Sequence, residues 1–161
     1  MHQPRFFGAV LLGVRPKPFD NEEIECYIKI KTYRTEFFIM IIRDITVNYE
    51  CRKSFRCLRK NGLPEKNLFV LFKTPAYVSV DGKFVYTEAG SYCIFEKGAY
   101  TEYYSAQDYF CHDFFHFTYE AYEKNVFENL SFGKVCGLRG GGEISDIISL
   151  MKKESRLAKP S

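Results

Sequence analysis

The stretch that decides the fold is residues 76–117, AYVSVDGKFVYTEAGSYCIFEKGAYTEYYSAQDYFCHDFFHF, in which short apolar runs alternate with turn residues. Asp81-Gly82 separates the first two runs. An Asp-Gly pair is a strong hairpin signal because both residues tolerate a positive φ. Further turn signals recur about every eight to twelve residues, the spacing typical of β-sandwiches and β-barrels. Because no room is left for helices between the strands, a parallel α/β fold is excluded.

Along the whole chain, apolar periodicity predicts a series of strands and one helix. The predicted strands are 6–14, 24–31, 37–42, 68–73, 76–80, 83–87, 91–95, 99–104 and 109–117. Segment 119–130 is polar and is consistent with a short helix. Residues 143–157 are predicted to be helical, because apolar residues recur there at i, i+3, i+4 and i+7. This apolar helix stripe consists of Ile144, Ile147, Ile148 and Met151.

The amino-acid composition indicates that the chain forms one globular, mainly β domain. The chain has 161 residues, 46% of them hydrophobic, with 16 Phe, 12 Tyr and no Trp. Aromatic side chains favour strands and bury large areas. The net charge is only +3. The densest basic cluster is Arg52, Lys53, Arg56, Arg59 and Lys60, and we interpret it as a solvated strand edge or loop rather than a DNA-binding face.

The cysteines and the N-terminus indicate a cytoplasmic protein. None of the six cysteines forms a CxxC pair, and disulfide frameworks belong mostly to short secreted chains. The apolar run 6–14 lacks a following small-residue cleavage site and is too short to span a bilayer. We therefore expect reduced, mostly buried thiols and no membrane partner.

Two histidines raise the question of a metal site, and strand geometry argues against one. His112 and His116 are four residues apart, a spacing that suits a metal on a helix. On the predicted strand this spacing corresponds to about 13 Å, too far for two ligands of one zinc ion. Cys111 and His112 point to opposite faces, so they do not form a nucleophile–base pair. The sequence predicts no metal, no cofactor and no catalytic site.

The aromatic strand 109–117 supplies candidate binding residues. One face of this strand carries Phe110, His112, Phe114 and His116. On the preceding strand, Thr101 and Tyr103 share a face. One face of each strand should line the barrel interior, where rings, hydroxyls and imidazoles suit a small polar ligand. An interior filled by these rings, without space for a ligand, is an equally open alternative.

The order of these elements resembles the N-terminal sensing domain of AraC-type bacterial transcription regulators. The hairpin VSVDGKFVYTEAGSYCIFEKG (78–98) places glycines at two loops where the family often has them. The segment AYTEYY (99–104) follows, and YFCHDFFHF (109–117) is similar to the family's aromatic closing strand. The helix 143–157 lies where such domains carry a dimerisation helix.

This resemblance implies a cupin-like double-stranded β-helix, or jelly-roll barrel, followed by a C-terminal amphipathic helix or helix pair. It divides the chain into an N-terminal arm or extra strands (1–36), a barrel (37–118) and a helical dimerisation segment (119–161). It also implies a homodimer that binds a small effector, such as a sugar or another polar metabolite. DNA would be reached only through a helix-turn-helix domain absent from this chain. The apolar helix stripe would supply the dimer contacts.

By position, the family's ligand contacts fall on Tyr103, His112 and Phe114. Thr101 and His116 share their faces and complete the candidate set. The implied mechanism is a two-state equilibrium in which the effector changes the arrangement of the arm and the helix. That arrangement would set the spacing of the DNA-reading units.

The chain departs from the family pattern in three places, and two alternatives follow. Lys97 stands where a proline is usual, Glu102 where a histidine is expected, and Phe114 where tryptophan is common. These departures leave the effector unidentified. The first alternative is a metal-dependent cupin enzyme such as an isomerase or dioxygenase. The second is a ligand-free dimerisation module whose barrel is filled with side chains.

Overall fold

The computed structural model of the chain describes residues 10–16, 24–31, 37–52, 54–119, 131–137 and 141–157. These ranges contain strands β1 (Val10–Pro16), β2 (Ile24–Lys31), β3 (Phe37–Arg52), β4 (Arg56–Arg59), β5 (Asn67–Phe72), β6 (Ala76–Val80), β7 (Lys83–Thr87), β8 (Ser91–Phe95), β9 (Thr101–Ser105), β10 (Tyr109–Tyr119) and β11 (Val135–Gly137). Helix α1 (Gly141–Leu157) follows. The short helix considered for 119–130 falls on residues 120–130, outside the described part of the chain, as do residues 6–9 of the first predicted strand.

Strands β3 to β10 form a jelly roll. One sheet has the order β3-β10-β5-β8 and the facing sheet has the order β4-β9-β6-β7, with antiparallel pairing throughout. Successive strands cross from one sheet to the other except at the β6–β7 hairpin, which is the connectivity of a double-stranded β-helix. The predicted fold class, mainly β and cupin-like with a C-terminal helix, is confirmed. β2 and β1 extend the larger sheet beyond β3, and β11 pairs with β8 at its other edge.

Turn chemistry accounts for the strands that the sequence predicts best. Asp81 and Gly82 have φ values of 50° and 76°, as a two-residue hairpin turn with two left-handed positions requires. Strands β6, β7 and β8 coincide with the predicted runs 76–80, 83–87 and 91–95. The prediction from sequence missed the short strands β4 and β11. It also ended β3 at residue 42, ten residues before its end in the structure.

Strand β3 is longer than predicted because two irregularities let it bend along β10. His112 pairs with Tyr49, whereas Phe114 pairs with Thr46, so β3 has an extra residue opposite this part of β10. A second shift follows between Phe114 and His116. Asp44 and Asn48 both have φ near 52°. Asp and Asn tolerate this left-handed conformation better than other residues with side chains, which explains their presence at the two irregularities.

Two apolar clusters stabilise the domain. The inner cluster lies between the sheets and consists of Leu68, Val70, Phe72, Ala76, Val78, Cys93, Phe95, Tyr103 and Phe110. The outer cluster lies on the other face of the larger sheet, under α1, and consists of Ile42, Phe69, Leu71, Ile94, Phe115, Phe117, Ile148 and Met151. Both faces of β5 are therefore buried. No disulfide joins the described cysteines Cys51, Cys57, Cys93, Cys111 and Cys136.

Helix α1 packs on the chain's own sheet, so most of the apolar helix stripe makes contacts within the chain, and the dimer role expected of the stripe stays a prediction. Ile148 and Met151 are 1% and 2% exposed within the outer cluster, and Ile144 packs against it. These three side chains are engaged within the protomer because the outer sheet face is apolar. Ile147, at 51% exposure, is the one member of the stripe that points outward. None of the helices in the described ranges is long and apolar enough to cross a membrane.

Candidate functional site

Strand β10 has two different faces, and each contacts a different part of the molecule. Phe110 belongs to the inner cluster and Phe114 packs against it, so this face lines the barrel interior. Phe115 and Phe117 belong to the outer cluster under α1. This division agrees with the two faces inferred from alternation along 109–117. The candidate residues His112, Phe114 and His116 therefore share the interior face.

His112 lies at the centre of a cage of aromatic rings. Its ring centroid is 4.7 Å from Phe110, 5.4 Å from Tyr49, 5.5 Å from Phe55 and from Phe114, and 5.7 Å from Tyr103. The residue is 1% exposed, and its Nδ1 has no hydrogen-bond partner in the described part of the chain.

This cage determines the charge of His112. Burial lowers its pKa to about 4, although the nearby Asp113 carboxylate acts in the opposite direction. The imidazole is therefore neutral near pH 7, since a charge inside an apolar cage is unfavourable. A neutral imidazole can accept or donate one hydrogen bond without introducing a charge.

Tyr103 and Thr101 face the same interior from β9. The ring centroids of Tyr103 and Phe72 are 5.6 Å apart, and the Tyr103 hydroxyl lies beside the Cys57 thiol. Burial, and secondarily that thiol, raises the pKa of Tyr103 well above its ordinary value, so the phenol stays protonated. Thr101 is buried, and its hydroxyl donates to the carbonyl of Ala99 at 3.2 Å.

His116 lies at a less buried end of the barrel. Its Nδ1 is 2.9 Å from Oδ2 of Asp44, the residue at the second β3 irregularity. The hydrogen bond from Lys66 and then that from His116 lower the pKa of Asp44. The other imidazole nitrogen, Nε2, is buried without a hydrogen-bond partner among the described residues.

Strand register places Thr101 and His116 at the same end of the barrel. His116 pairs with Leu68, and Leu68 pairs with Phe95. The chain then leaves β8 at Phe95 and enters the facing sheet at Thr101. Because facing sheets lie about 10 Å apart, residues from both sheets meet at this end.

Arg59 joins this end of the barrel and was missed from the sequence. It pairs with Thr101, and it shares its face of β4 with Cys57, which packs against the inner cluster. Its charge acts on the buried Tyr103 hydroxyl, and its Nη1 is buried without a hydrogen-bond partner in the described ranges. No local pattern indicated this position, because the run Arg56-Cys57-Leu58-Arg59 does not alternate polar with apolar residues and its Leu58 is exposed.

Glu102 occupies the position where the family pattern has a histidine, and it points away from the interior. Arg56 Nε donates to its Oε1 at 2.6 Å, and the Tyr100 hydroxyl donates to its Oε2. Arg56 also lies 5.9 Å from the ring centroid of Tyr104 on the outer face of the smaller sheet. This departure therefore adds an external ion pair instead of an interior ligand contact.

The five ligand-binding candidates are thus brought to one interior, in two settings. Tyr103 and His112 are packed ring against ring, whereas Thr101 and His116 lie towards the end occupied by Arg59, with Phe114 between the two settings. Their role in binding a ligand stays a prediction. Across the described ranges, no three His, Cys, Asp or Glu side chains are grouped closely enough to hold a metal ion.

Asp113 connects the ligand-facing strand to the helix. Its side chain is fully buried, and Oδ2 accepts a hydrogen bond from Ser145 Oγ of α1 at 2.9 Å. Oδ1 accepts from the backbone N–H of Asn48 at 2.6 Å, and Lys73 Nζ lies 3.3 Å from Oδ2. One carboxylate therefore joins β10, the β3 irregularity and α1. The sequence did not single out Asp113.

Comparisons with known proteins find similar structures at low identity. No protein-family model and no curated protein sequence matches the chain. A cupin 2 conserved barrel domain protein from Salinispora arenicola is 11% identical over 74% of this chain and 82% of that one, with a TM-score of 0.31. The Schizosaccharomyces pombe Cnp3 cupin domain is 6% identical over 76% and 77%, with a TM-score of 0.34. The Clostridium difficile EutQ protein is 13% identical over 65% and 75%, with a TM-score of 0.28.

Proposed function

We propose that this chain is the effector-binding and dimerisation domain of an AraC-type transcription regulator in the cytoplasm. The observation that carries the proposal is the two-faced strand β10. His112 and Phe114 face the barrel interior, while Asp113, between them in sequence, is bonded to Ser145 of α1. We expect a ligand that moves one face of this strand to act on the helix through this bond.

The proposed mechanism is a shift between two arrangements of α1 against the larger sheet. An effector changes this equilibrium only by its difference in affinity for the two arrangements. Strand β10 is held to β3 by the Asn48–Asp113 hydrogen bond and to α1 by Ser145. Movement of His112 or Phe114 would change the geometry of both bonds. The DNA-reading domain would lie in another part of the regulator.

The proposed dimer contact is the outward face of α1. Ile147 and Leu150 are 51% and 54% exposed, three residues apart on a helix whose other outward positions are polar. Helical residues at i and i+3 are neighbours, so this pair forms one apolar patch. The patch replaces the inward-facing Ile148 and Met151 as the contact to test.

Dimerisation is tested with a charged double variant. Ile147→Glu/Leu150→Glu should convert a dimer to a monomer in sedimentation velocity without unfolding it, because both side chains are exposed. Ser149→Glu, an exposed position on the same helix, is the matched control and should leave the dimer intact. A dimer that survives the double variant would refute this contact.

Effector binding is tested by thermal shift across a panel of sugars, organic acids and other metabolites. A ligand at a hundred times its dissociation constant should stabilise the fold by about 2.7 kcal/mol. Tyr103→Phe and Phe114→Ala should weaken any binding that is found. A complete absence of stabilising compounds would overturn the sensor function.

A ligand-free dimerisation module is the second candidate, and the cage around His112 favours it. Five rings within 5.7 Å of the imidazole leave this level of the barrel filled by side chains. Under this alternative the double variant of α1 still disrupts the dimer, but no metabolite raises Tm. Elemental analysis of the purified protein tests the further alternative of a metal-dependent cupin enzyme.

A further inference from the structure

Unpaired nitrogen atoms in the barrel interior indicate what kind of effector would bind. Buried nitrogens without a hydrogen-bond partner among the described residues include Arg59 Nη1, His112 Nδ1 and His116 Nε2. Each belongs to a side chain on the interior face of its strand. A buried polar atom without a partner is unfavourable, so these atoms favour a ligand that supplies hydrogen-bonding groups.

Arg59 carries a permanent positive charge that no carboxylate of the described interior balances. The neighbouring groups on β4 and β9 are a thiol, a hydroxyl and a phenol, from Cys57, Thr101 and Tyr103, and none of them is a carboxylate. The carboxylates nearest in sequence to the lining residues already have other partners. Glu102 is bonded to Arg56 and Tyr100, Asp113 to Ser145, and Asp44 to His116 and Lys66.

We infer that the effector is a small organic anion, a carboxylate or phosphate ester, whose charged group pairs with Arg59 at the barrel end that contains Thr101 and His116. The inference rests on the proposed function and names the chemical class of its ligand. A guanidinium presents parallel donors that match a carboxylate or phosphate in a bidentate pair. A neutral sugar would leave the charge of Arg59 unbalanced.

The rest of the ligand is apolar or flat. Phe114 lies next to His116, with ring centroids 5.8 Å apart, and Phe95 lies in the same cross-strand row through Leu68. The His116 side chain is 13% exposed, so this end of the barrel approaches the surface. An anion could therefore enter here without opening the filled level around His112.

The test compares charged and neutral partners of the same shape. The probes are benzoate against benzamide, hexanoate against hexanamide, and glucose 6-phosphate against glucose, with sodium chloride and inorganic phosphate alone. Tm is measured for every probe, and calorimetry gives Kd for those that raise it. We expect at least one organic anion to bind while its neutral partner does not.

Variants at neighbouring positions separate the role of Arg59 from general charge. Arg59→Gln should weaken anion binding about tenfold or more, as expected for a lost charge-assisted pair. Lys60→Gln removes the same charge at the adjacent exposed residue and should leave Kd unchanged. Arg59→Lys keeps the charge but loses the bidentate pair, so it should weaken anion binding in part. This variant provides the comparison with Lys60→Gln if Arg59→Gln does not fold.

Each remaining outcome overturns the inference in a recognisable way. Binding of a neutral compound that is insensitive to Arg59→Gln would refute the anionic class and preserve the sensor function. Equal stabilisation by chloride or inorganic phosphate would mean a bound inorganic ion without an organic effector. No stabilisation by any probe or metabolite would overturn the sensor function itself.

Discussion

Ser145 Oγ donates a hydrogen bond to Asp113 Oδ2 at 2.9 Å, and this bond joins helix α1 to the strand that lines the barrel. Asp113 is fully buried, so its carboxylate must be satisfied by protein groups. It is also bonded to the Asn48 N–H and lies 3.3 Å from Lys73 Nζ. The position of the helix therefore depends on a buried hydrogen-bonded side chain and not only on apolar packing.

Ser145→Ala should destabilise the helix–sheet contact by about 1–2 kcal/mol, because a buried carboxylate loses one donor. Hydrogen exchange in α1 should increase, and chemical denaturation measures the free energy of unfolding. Ser149→Ala is the control, since Ser149 Oγ donates to the carbonyl of Ser145 within the same helix. Its effect should stay within about 0.5 kcal/mol. Equal effects of the two variants would contradict the role of the Ser145–Asp113 bond.

The pH dependence of stability should report the caged imidazole. The pKa of His112 is lowered from 6.5 to about 4 by burial, so between these values the unfolded chain is protonated and the folded one is not. The free energy of unfolding is therefore unaffected by His112 protonation above pH 6.5. It decreases as the pH is lowered from 6.5, by roughly 3 kcal/mol at pH 4. Asp44, whose pKa is lowered from 3.8, contributes only below this window.

His112→Phe should flatten this pH profile. Phenylalanine fits a cage of rings and carries no titrating group, so urea titrations from pH 7 to pH 4 should show a shallower slope than the wild type. An unchanged slope would mean that His112 does not titrate as a buried group. The same variant removes one candidate ligand contact, and its effector affinity should be measured separately.

The two sides of α1 should respond differently to truncation. Ile148→Ala creates a cavity under the helix and should cost about 2–4 kcal/mol of folding stability. Ile147→Ala, on the exposed side of the same turn, should change monomer stability by no more than about 0.5 kcal/mol. Thermal unfolding at low protein concentration checks both. Similar losses would show that the helix is rotated from the position described.

Two turn glycines should differ because only one touches another loop. A Cβ on Gly62 would lie 2.3 Å from the carbonyl oxygen of Ala99, whereas a Cβ on Gly82 would meet nothing within 4 Å. Both have a positive φ, so Gly82→Ala should cost about 1 kcal/mol through strain alone. Gly62→Ala adds a backbone clash near the Thr101 end of the barrel and should cost about 2–4 kcal/mol. Equal losses would contradict the close approach of the two loops.

Local sequence signals predicted much of the barrel. Asp81-Gly82 fixed one hairpin because the turn demands two left-handed residues. The extension of β3 was missed because Asp44 and Asn48 resemble turn residues, while the paired strand β10 keeps them in the sheet. The short strands β4 and β11 lack a long apolar pattern, and pairing with β9 and β8 creates them.

The sequence by itself determined alternation along β10, since period two places His112 and Phe114 on one face and Asp113 on the other whatever the fold around them. Only the tertiary structure decided what each face meets. The apolar stripe of α1 is amphipathic in sequence, but whether Ile148 packs on a second copy or on the chain's own sheet depends on the outer face of that sheet. Arg59 was placed in the interior by its pairing with Thr101, a long-range contact that no local pattern encodes.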